Sequence, residues 1–299
     1  MAGELSGIIP PMTTPFDADG EIDEGAARAQ VRWLLDQGVH GLAVGGSTGE
    51  GHTLELDELR RLVATVAEAA AGRVPVIAGI IVDSTRDAIR RGRAVAGLGV
   101  AALQVTPVHY LFRPDDEAML AHFRAIAETT GQPVVIYNVV PWSYLSPALL
   151  CQVMAEVPGV IGVKQSAGDL KLLADLLIAA PAASRILSAV DALLYPSFAL
   201  GAHGAIAAIL AAAPGPCIAL WDAVRRGDHA AALDLHRHLL VLWNAIVADN
   251  LPACTKYAQI LQGCPGGHPR APMPAASAAR QRAIEAALDG LRAARAAAE

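Results

Sequence analysis

Short apolar runs alternate with longer, helically patterned stretches from the start of the chain to about residue 226. The runs at 7–10, 41–44, 74–82, 101–105, 133–137, 185–190 and 204–207, and one ending at Lys164, read as strands. Each precedes a stretch with apolar positions three and four apart: 24–37, 56–71, 85–97, 115–129, 170–179 and 192–200, with 147–155 before Lys164 and 216–226 at the end. That spacing lays one apolar stripe along a helix. Asp23 is placed to cap the first helix, because a carboxylate there accepts from an unpaired amide. Strands that are apolar on both faces suit a parallel sheet covered by helices. Eight strand–helix units match a closed (β/α)8 TIM barrel in number and length. An open doubly wound sheet would show the same periodicity; the count of eight favours the barrel.

From residue 227 the pattern is helical only. Long amphipathic stretches at 228–247, 252–261 and 277–297 flank a Gly/Pro-rich loop at 263–274. The expected division is a catalytic barrel over 1–226 and a helical appendix over 227–299, packed on the barrel or on a neighbouring subunit. No internal repeat is visible.

Composition narrows the class. Of 299 residues 54% are hydrophobic and only 4% aromatic, so alanine-rich helices can cover a sizeable core. The net charge of -6, with no basic block, argues against nucleic acid or an anionic membrane as partner. The opening Met1-Ala2-Gly3-Glu4-Leu5 lacks the basic end and apolar stretch of a signal peptide. The apolar stretch 205–221 is interrupted by Pro214-Gly215-Pro216 and is too short to span a bilayer. Cys151, Cys217, Cys254 and Cys264 form no CxxC pair and show no zinc spacing, so buried thiols in a reducing cytoplasm are expected.

In a barrel the chemistry belongs to the loops that follow the strands. The sixth strand ends on Lys164, where an amine wrapped in apolar side chains becomes a nucleophile able to attack a ketone. The plainer reading is a lysine that snorkels to solvent. After the second strand, Gly45-Gly46-Ser47-Thr48-Gly49-Glu50-Gly51 offers close backbone approach, hydroxyls and amides: either an anion cradle or a tight turn. Gly45-x-Ser47-x-Gly49 also fits the elbow of a serine hydrolase, with Asp191 and His203 or His236 as possible partners. No oxyanion loop precedes it, and the eight-unit rhythm is wrong for that fold. Tyr137 ends the fifth strand, where a phenol can pass protons or simply close the core. His109 is a rim residue able to act as acid or base. His236 and His238 lie two apart on a helix and face different ways, so they make no metal site. Asp17-Ala18-Asp19-Gly20 lacks the glycine position and downstream glutamate of a calcium loop and reads as a turn.

Gly46-Ser47-Thr48-Gly49-Glu50, Ile136-Tyr137-Asn138 and Val163-Lys164, supported by Thr13-Thr14-Pro15-Phe16 and Thr106-Pro107, resemble the dihydrodipicolinate synthase / N-acetylneuraminate lyase family of class I, pyruvate-type aldolases. The likeness covers essentially the whole chain. It implies that Lys164 forms an imine with a 2-oxo acid and that Ser47, Thr48, Gly46 and Gly49 hold the carboxylate. Tyr137 would shuttle protons, and Ser47 would link it to a second tyrosine, best matched by Tyr110, from a neighbouring subunit. Ile206 would line the pyruvyl pocket. The resemblance further implies a cytoplasmic dimer of dimers needing neither metal nor organic cofactor.

Departures from the pattern bear on the substrate. The arginine that follows the Tyr-Asn motif in the synthases is absent from Val139-Val140-Pro141-Trp142-Ser143-Tyr144. Asp191 matches the sialic acid lyases, but their following glutamate is Ala192. Trp142 and Tyr144 point to a bulkier or less polar second substrate. The reading is therefore a lyase that makes or breaks a C–C bond of a 2-oxo acid through a lysine imine. The alternatives are a dehydratase or deaminase of a deoxy sugar acid or cyclic imino acid by the same imine, 4-hydroxy-tetrahydrodipicolinate synthase, a non-catalytic 2-oxo acid binder, and the serine hydrolase.

Overall fold

The computed structural model describes residues 5–298. The expectation of no signal peptide, read from residues 1–5, falls on a segment mostly outside the described residues. Eight strands form one parallel sheet: β1 (Gly7–Ile8), β2 (Leu42–Val44), β3 (Val76–Ile80), β4 (Ala102–Val105), β5 (Val134–Asn138), β6 (Val160–Gln165), β7 (Arg185–Ser188) and β8 (Gly204–Ala205). The order is β1-β8-β7-β6-β5-β4-β3-β2, so the two ends of the list must meet for closure. They meet just beyond β1. Pro11 bridges Ala43 in parallel, His40 N donates to Ile8 O at 2.9 Å, and Met12 N donates to Ala43 O at 2.8 Å. Pro10 and Pro11 have no N–H to give, which is why β1 is so short and its seam with β2 so sparsely bonded.

The helices between strands are α1 (Glu24–Asp36), α2 (Leu56–Ala70), α3 (Thr85–Val95), α4 (Asp116–Thr130), α5 (Pro147–Glu156), α6 (Leu170–Ala179) and α7 (Leu194–Ala199). Asp23 caps α1, accepting from Ala26 N at 2.8 Å. After β8 the chain makes a short helix, α8 (Ala208–Ala212), before α9 (Pro214–Arg225). The single helix anticipated at 216–226 is thus preceded by a second one. Every residue of α8 is buried, so it shows no polar face for a periodicity to reveal. Three helices follow: α10 (His229–Ile246), α11 (Leu251–Ile260) and α12 (Ala278–Ala298).

Alternate strand residues divide the core in two. Ile9, Ala43, Ile77, Ala102, Val135, Leu187 and Ile206 form a small cluster inside the barrel, while a much larger cluster fills the space between strands and helices. Cys217, Cys254 and Cys264 are buried free thiols, but Cys151 is only partly covered, short of the full burial expected for all four. Asp17-Ala18-Asp19-Gly20 is a turn, with Asp17 Oδ1 accepting from the amides of Asp19 and Glu21, both at 2.9 Å.

Candidate active site

Strand alternation decides what faces the barrel's interior. On β5 Val135 points inward and so does Tyr137; on β6, Lys164 is Tyr137's register partner. Lys164 is 4% exposed, and its Nζ sits 3.9 Å from the centre of the Tyr137 ring. It has not snorkelled into bulk water. Among the described residues no hydrogen bond or ion pair occupies Nζ, so its lone pair, once deprotonated, is available to a ligand.

The glycine-rich segment after β2 folds into two successive 3-10 turns, Ser47–Gly49 and Gly51–Thr53. Gly46 O accepts from Gly49 N and Gly51 N, both at 3.0 Å. Gly45 sits at φ +74, and a Cβ on Gly51 would lie 1.8 Å from Gly45 O, so each needs glycine. Three of the segment's amides, those of Gly49, Glu50 and Gly51, are committed to the turn itself. That narrows the cradle expected from the sequence to its Ser47–Thr48 end. Ser47 Oγ accepts from the Tyr137 hydroxyl at 3.0 Å, which ties the turn to the strand that faces Lys164.

These residues surround a cavity of about 310 Å³ whose walls include Ser47, Thr48, Tyr137, Lys164, Asp191 and Ile206. Gly46 and Gly49 shape the turn behind it. Asp191 Oδ1 accepts from Ile209 N at 2.7 Å. Burial pushes this carboxyl up to about 6, against the pull of the Ile209, Asp191 and Ala208 amides and of nearby Lys164. Lys164 is the only lysine or arginine among the described residues that line the cavity.

Two expected residues stand elsewhere. Trp142 is 71% exposed and donates through Nε1 to His109 O at 2.9 Å, outside the cavity wall. Tyr110 is 67% exposed and also outside the wall formed by its own chain, its amide held by Asp83 Oδ1 at 2.8 Å. His109 belongs to the same loop, with Nδ1 3.0 Å from Pro107 O and 3.3 Å from Asp83. Tyr144 is half-buried; its hydroxyl donates to Ser166 O at 3.2 Å, and burial raises its pKa. The hydrolase triad does not assemble. Ser47 pairs with a phenol, His203 Nδ1 accepts from Ile186 N at 3.1 Å, and His236 packs against Tyr195.

Sequence reasoning missed the outer wall. His52, Asp249, Leu251, Pro252 and Met273 close the cavity, four of them from the segment read as a non-catalytic appendix. The one available signal was Pro252 at the start of an amphipathic stretch, which marks a helix N-terminus but not where it points.

The dihydrodipicolinate synthetase family model matches residues 4–291. The chain belongs to this family. It is 36% identical over 285 residues to a protein of Symbiobacterium thermophilum named 4-hydroxy-tetrahydrodipicolinate synthase, covering 94% of this chain and 96% of that one. A Methanopyrus kandleri protein of the same name is 34% identical over 276 residues, covering 91% and 92%. Among solved structures, dihydrodipicolinate synthase from Aquifex aeolicus superposes with a TM-score of 0.91 at 25% identity over 96% of this chain and 98% of that one. A prophage protein of the family from E. coli K12, solved with pyruvate, gives 0.91 at 26% identity over 96% and 99%. The fold is the family's TIM barrel, and the chain is an enzyme of its class I, Schiff-base lyase and aldolase type. Among the described residues no helix is long and apolar enough to cross a membrane, and no group of three His, Cys, Asp or Glu side chains is placed to hold a metal.

Proposed function

We propose that Lys164 condenses with the keto carbon of pyruvate or a related 2-oxo acid and that the resulting iminium drives cleavage or formation of a C–C bond. The observation that carries this is a lysine 4% exposed at a cavity wall, its Nζ against the Tyr137 ring and unpaired among the described residues. Attack by the neutral amine gives a carbinolamine. Loss of water then leaves a protonated imine, which accepts the electron pair of the breaking bond. Tyr137, bonded to Ser47, moves the protons that enter and leave the adduct. Ser47 and Thr48 receive the substrate carboxylate through hydroxyl and amide donors.

The second substrate is neutral or hydroxylated. Among the described residues the cavity offers Asp191 and Asp249 but no arginine, so a second carboxylate on the substrate would meet like charge without a bidentate partner. The synthase reading is favoured by the relatives' names; it requires a dicarboxylate product, and turnover of an acidic aldehyde with pyruvate would establish it. The working state we propose is a cytoplasmic homo-oligomer, a dimer of dimers, in which the Tyr110 loop reaches a neighbouring subunit. The reaction needs neither metal nor organic cofactor. Residues 1–226 supply the reacting groups, and residues 227–299 complete the wall.

Borohydride with pyruvate tests the reading directly. Hydride addition to the imine should leave a reduced pyruvyl group on Lys164, found by peptide mass spectrometry. Lys164→Ala should retain the fold and lose both the adduct and turnover. An unmodified wild-type lysine, or a fully active variant, would end the proposal.

A further inference from the structure

Glu50 closes the Gly46–Glu50 motif and has no role in the chemistry just described. Its backbone is left-handed, φ 53, an uncommon state for a residue with a side chain, and its carboxylate is 0% exposed. Both oxygens are occupied. Oε1 accepts from Lys256 Nζ at 2.6 Å and Oε2 from Arg270 N at 2.8 Å. Lys256, on α11, is 1% exposed; its Nζ also donates to His268 O at 2.6 Å and lies 4.8 Å from the centre of the Phe16 ring. The turn has a second tie, from Thr14 Oγ1 to Gly49 O at 2.6 Å.

The connection joins two walls of one cavity. Glu50 lies two residues beyond Thr48, at the carboxylate end. Lys256 lies one helical turn beyond Pro252, and Arg270 lies shortly before Met273; Pro252 and Met273 line the same cavity as Ser47 and Thr48. Resting on the reading above, we infer that the Glu50–Lys256 pair is a positioning device: it fixes the Ser47–Thr48 turn relative to α11 and so sets the capture of the 2-oxo acid's carboxylate. A buried ion pair is poor evidence of added stability, since apolar residues of like volume often serve as well. Its distinguishing property is direction, because a carboxylate bonded at both oxygens has one orientation. Loss of the pair therefore weakens capture more than it slows the lysine.

The test uses the double variant Glu50→Gln, Lys256→Met, which removes both charges and strands neither. Its melt should stay near wild type, while amide exchange across residues 47–51 accelerates. In borohydride trapping the half-saturating pyruvate concentration should rise about tenfold, with the limiting trapping rate changed by less than about twofold. Glu50→Gln alone keeps the side chain's shape and an acceptor for Arg270 N while removing the charge that Lys256 meets, should shift both readouts the same way, and carries the test if the double variant does not fold. Unchanged exchange and half-saturation, or a loss confined to the limiting rate, would make the pair structural and overturn the inference. A wild-type protein that pyruvate does not label would sink the functional reading instead. The exchange comparison would then still decide whether the pair holds the turn.

Discussion

Tyr137 and Lys164 meet because register partners on adjacent parallel strands present neighbouring side chains to the same face. Among the described residues the phenol bonds to Ser47 Oγ, and its ring lies 3.9 Å from Lys164 Nζ, where a proton carrier for an adduct on Nζ would have to stand. Tyr137→Phe removes only the hydroxyl. Capture of pyruvate by Lys164 should survive, while kcat falls by about 10²–10⁴, the usual worth of a general acid–base group. Steady-state kinetics beside borohydride trapping separates the two steps, and an unchanged kcat would exclude Tyr137 from proton transfer. Asp191 makes a prediction of its own. Burial raises its folded-state pKa from 3.8 to about 6, so between those values the native protein holds a proton that the unfolded chain releases. This residue's stabilising contribution is full below pH 3.8 and is lost as the pH rises through 6. Asp191→Asn keeps the acceptor for Ile209 N but carries no charge. The variant should melt higher than wild type at pH 7, and the gap should close towards pH 4. A constant gap across that range would show that the carboxyl does not titrate as described.

At the scale of elements, α3 and α4 are joined by His122, whose Nδ1 lies 2.9 Å from Thr85 Oγ1. Burial lowers this imidazole from 6.5 to about 4, so the sign is opposite to that of Asp191. The unfolded chain takes up the proton first, and stability falls as the pH drops from 6.5 through 4, by about 2 kcal/mol at pH 5. His122→Gln cannot gain that charge. Its stability in denaturant should differ between pH 7 and pH 5 by less than wild type's does, and equal pH dependence would place the acid sensitivity elsewhere. The elements themselves were largely legible in the chain. α6 runs over the residues its apolar spacing marks, and Lys164 and Tyr137 fall at the ends of their strands because burial on both faces leaves a clear apolar run. α8 was not legible, since a helix buried on all sides has no period to detect. Neither was the role of α11. Leu251 and Pro252 face a cavity, yet in sequence they look like any residues at the start of a helix. The Glu50–Lys256 pairing spans 206 positions and leaves no local mark.

At the scale of the molecule, three consecutive large apolar side chains stand in water. Tyr110, Leu111 and Phe112 are 67%, 88% and 62% exposed, and the loop that carries them is fastened from behind. Asp83 Oδ1 accepts from the amides of His109 and Tyr110, Trp142 Nε1 donates to His109 O, and Ser143 Oγ donates to Val108 O at 2.9 Å. An apolar loop held rigid and left in water is suited to insertion into another surface, since little ordering entropy remains to be lost on docking. If Tyr110 works in the neighbouring subunit's site, its own chain's Lys164 is irrelevant to it. Two inactive chains, Lys164→Ala and Tyr110→Phe, should then rescue one another when co-expressed. The mixed dimer has one site with Lys164 from the second chain and Tyr110 from the first, and one site lacking both. Random pairing makes half the dimers mixed, with one of two sites active, so about a quarter of wild-type activity should return. A tyrosine acting within its own chain gives no complete site in any pairing, and the mixture would remain as inactive as its parts.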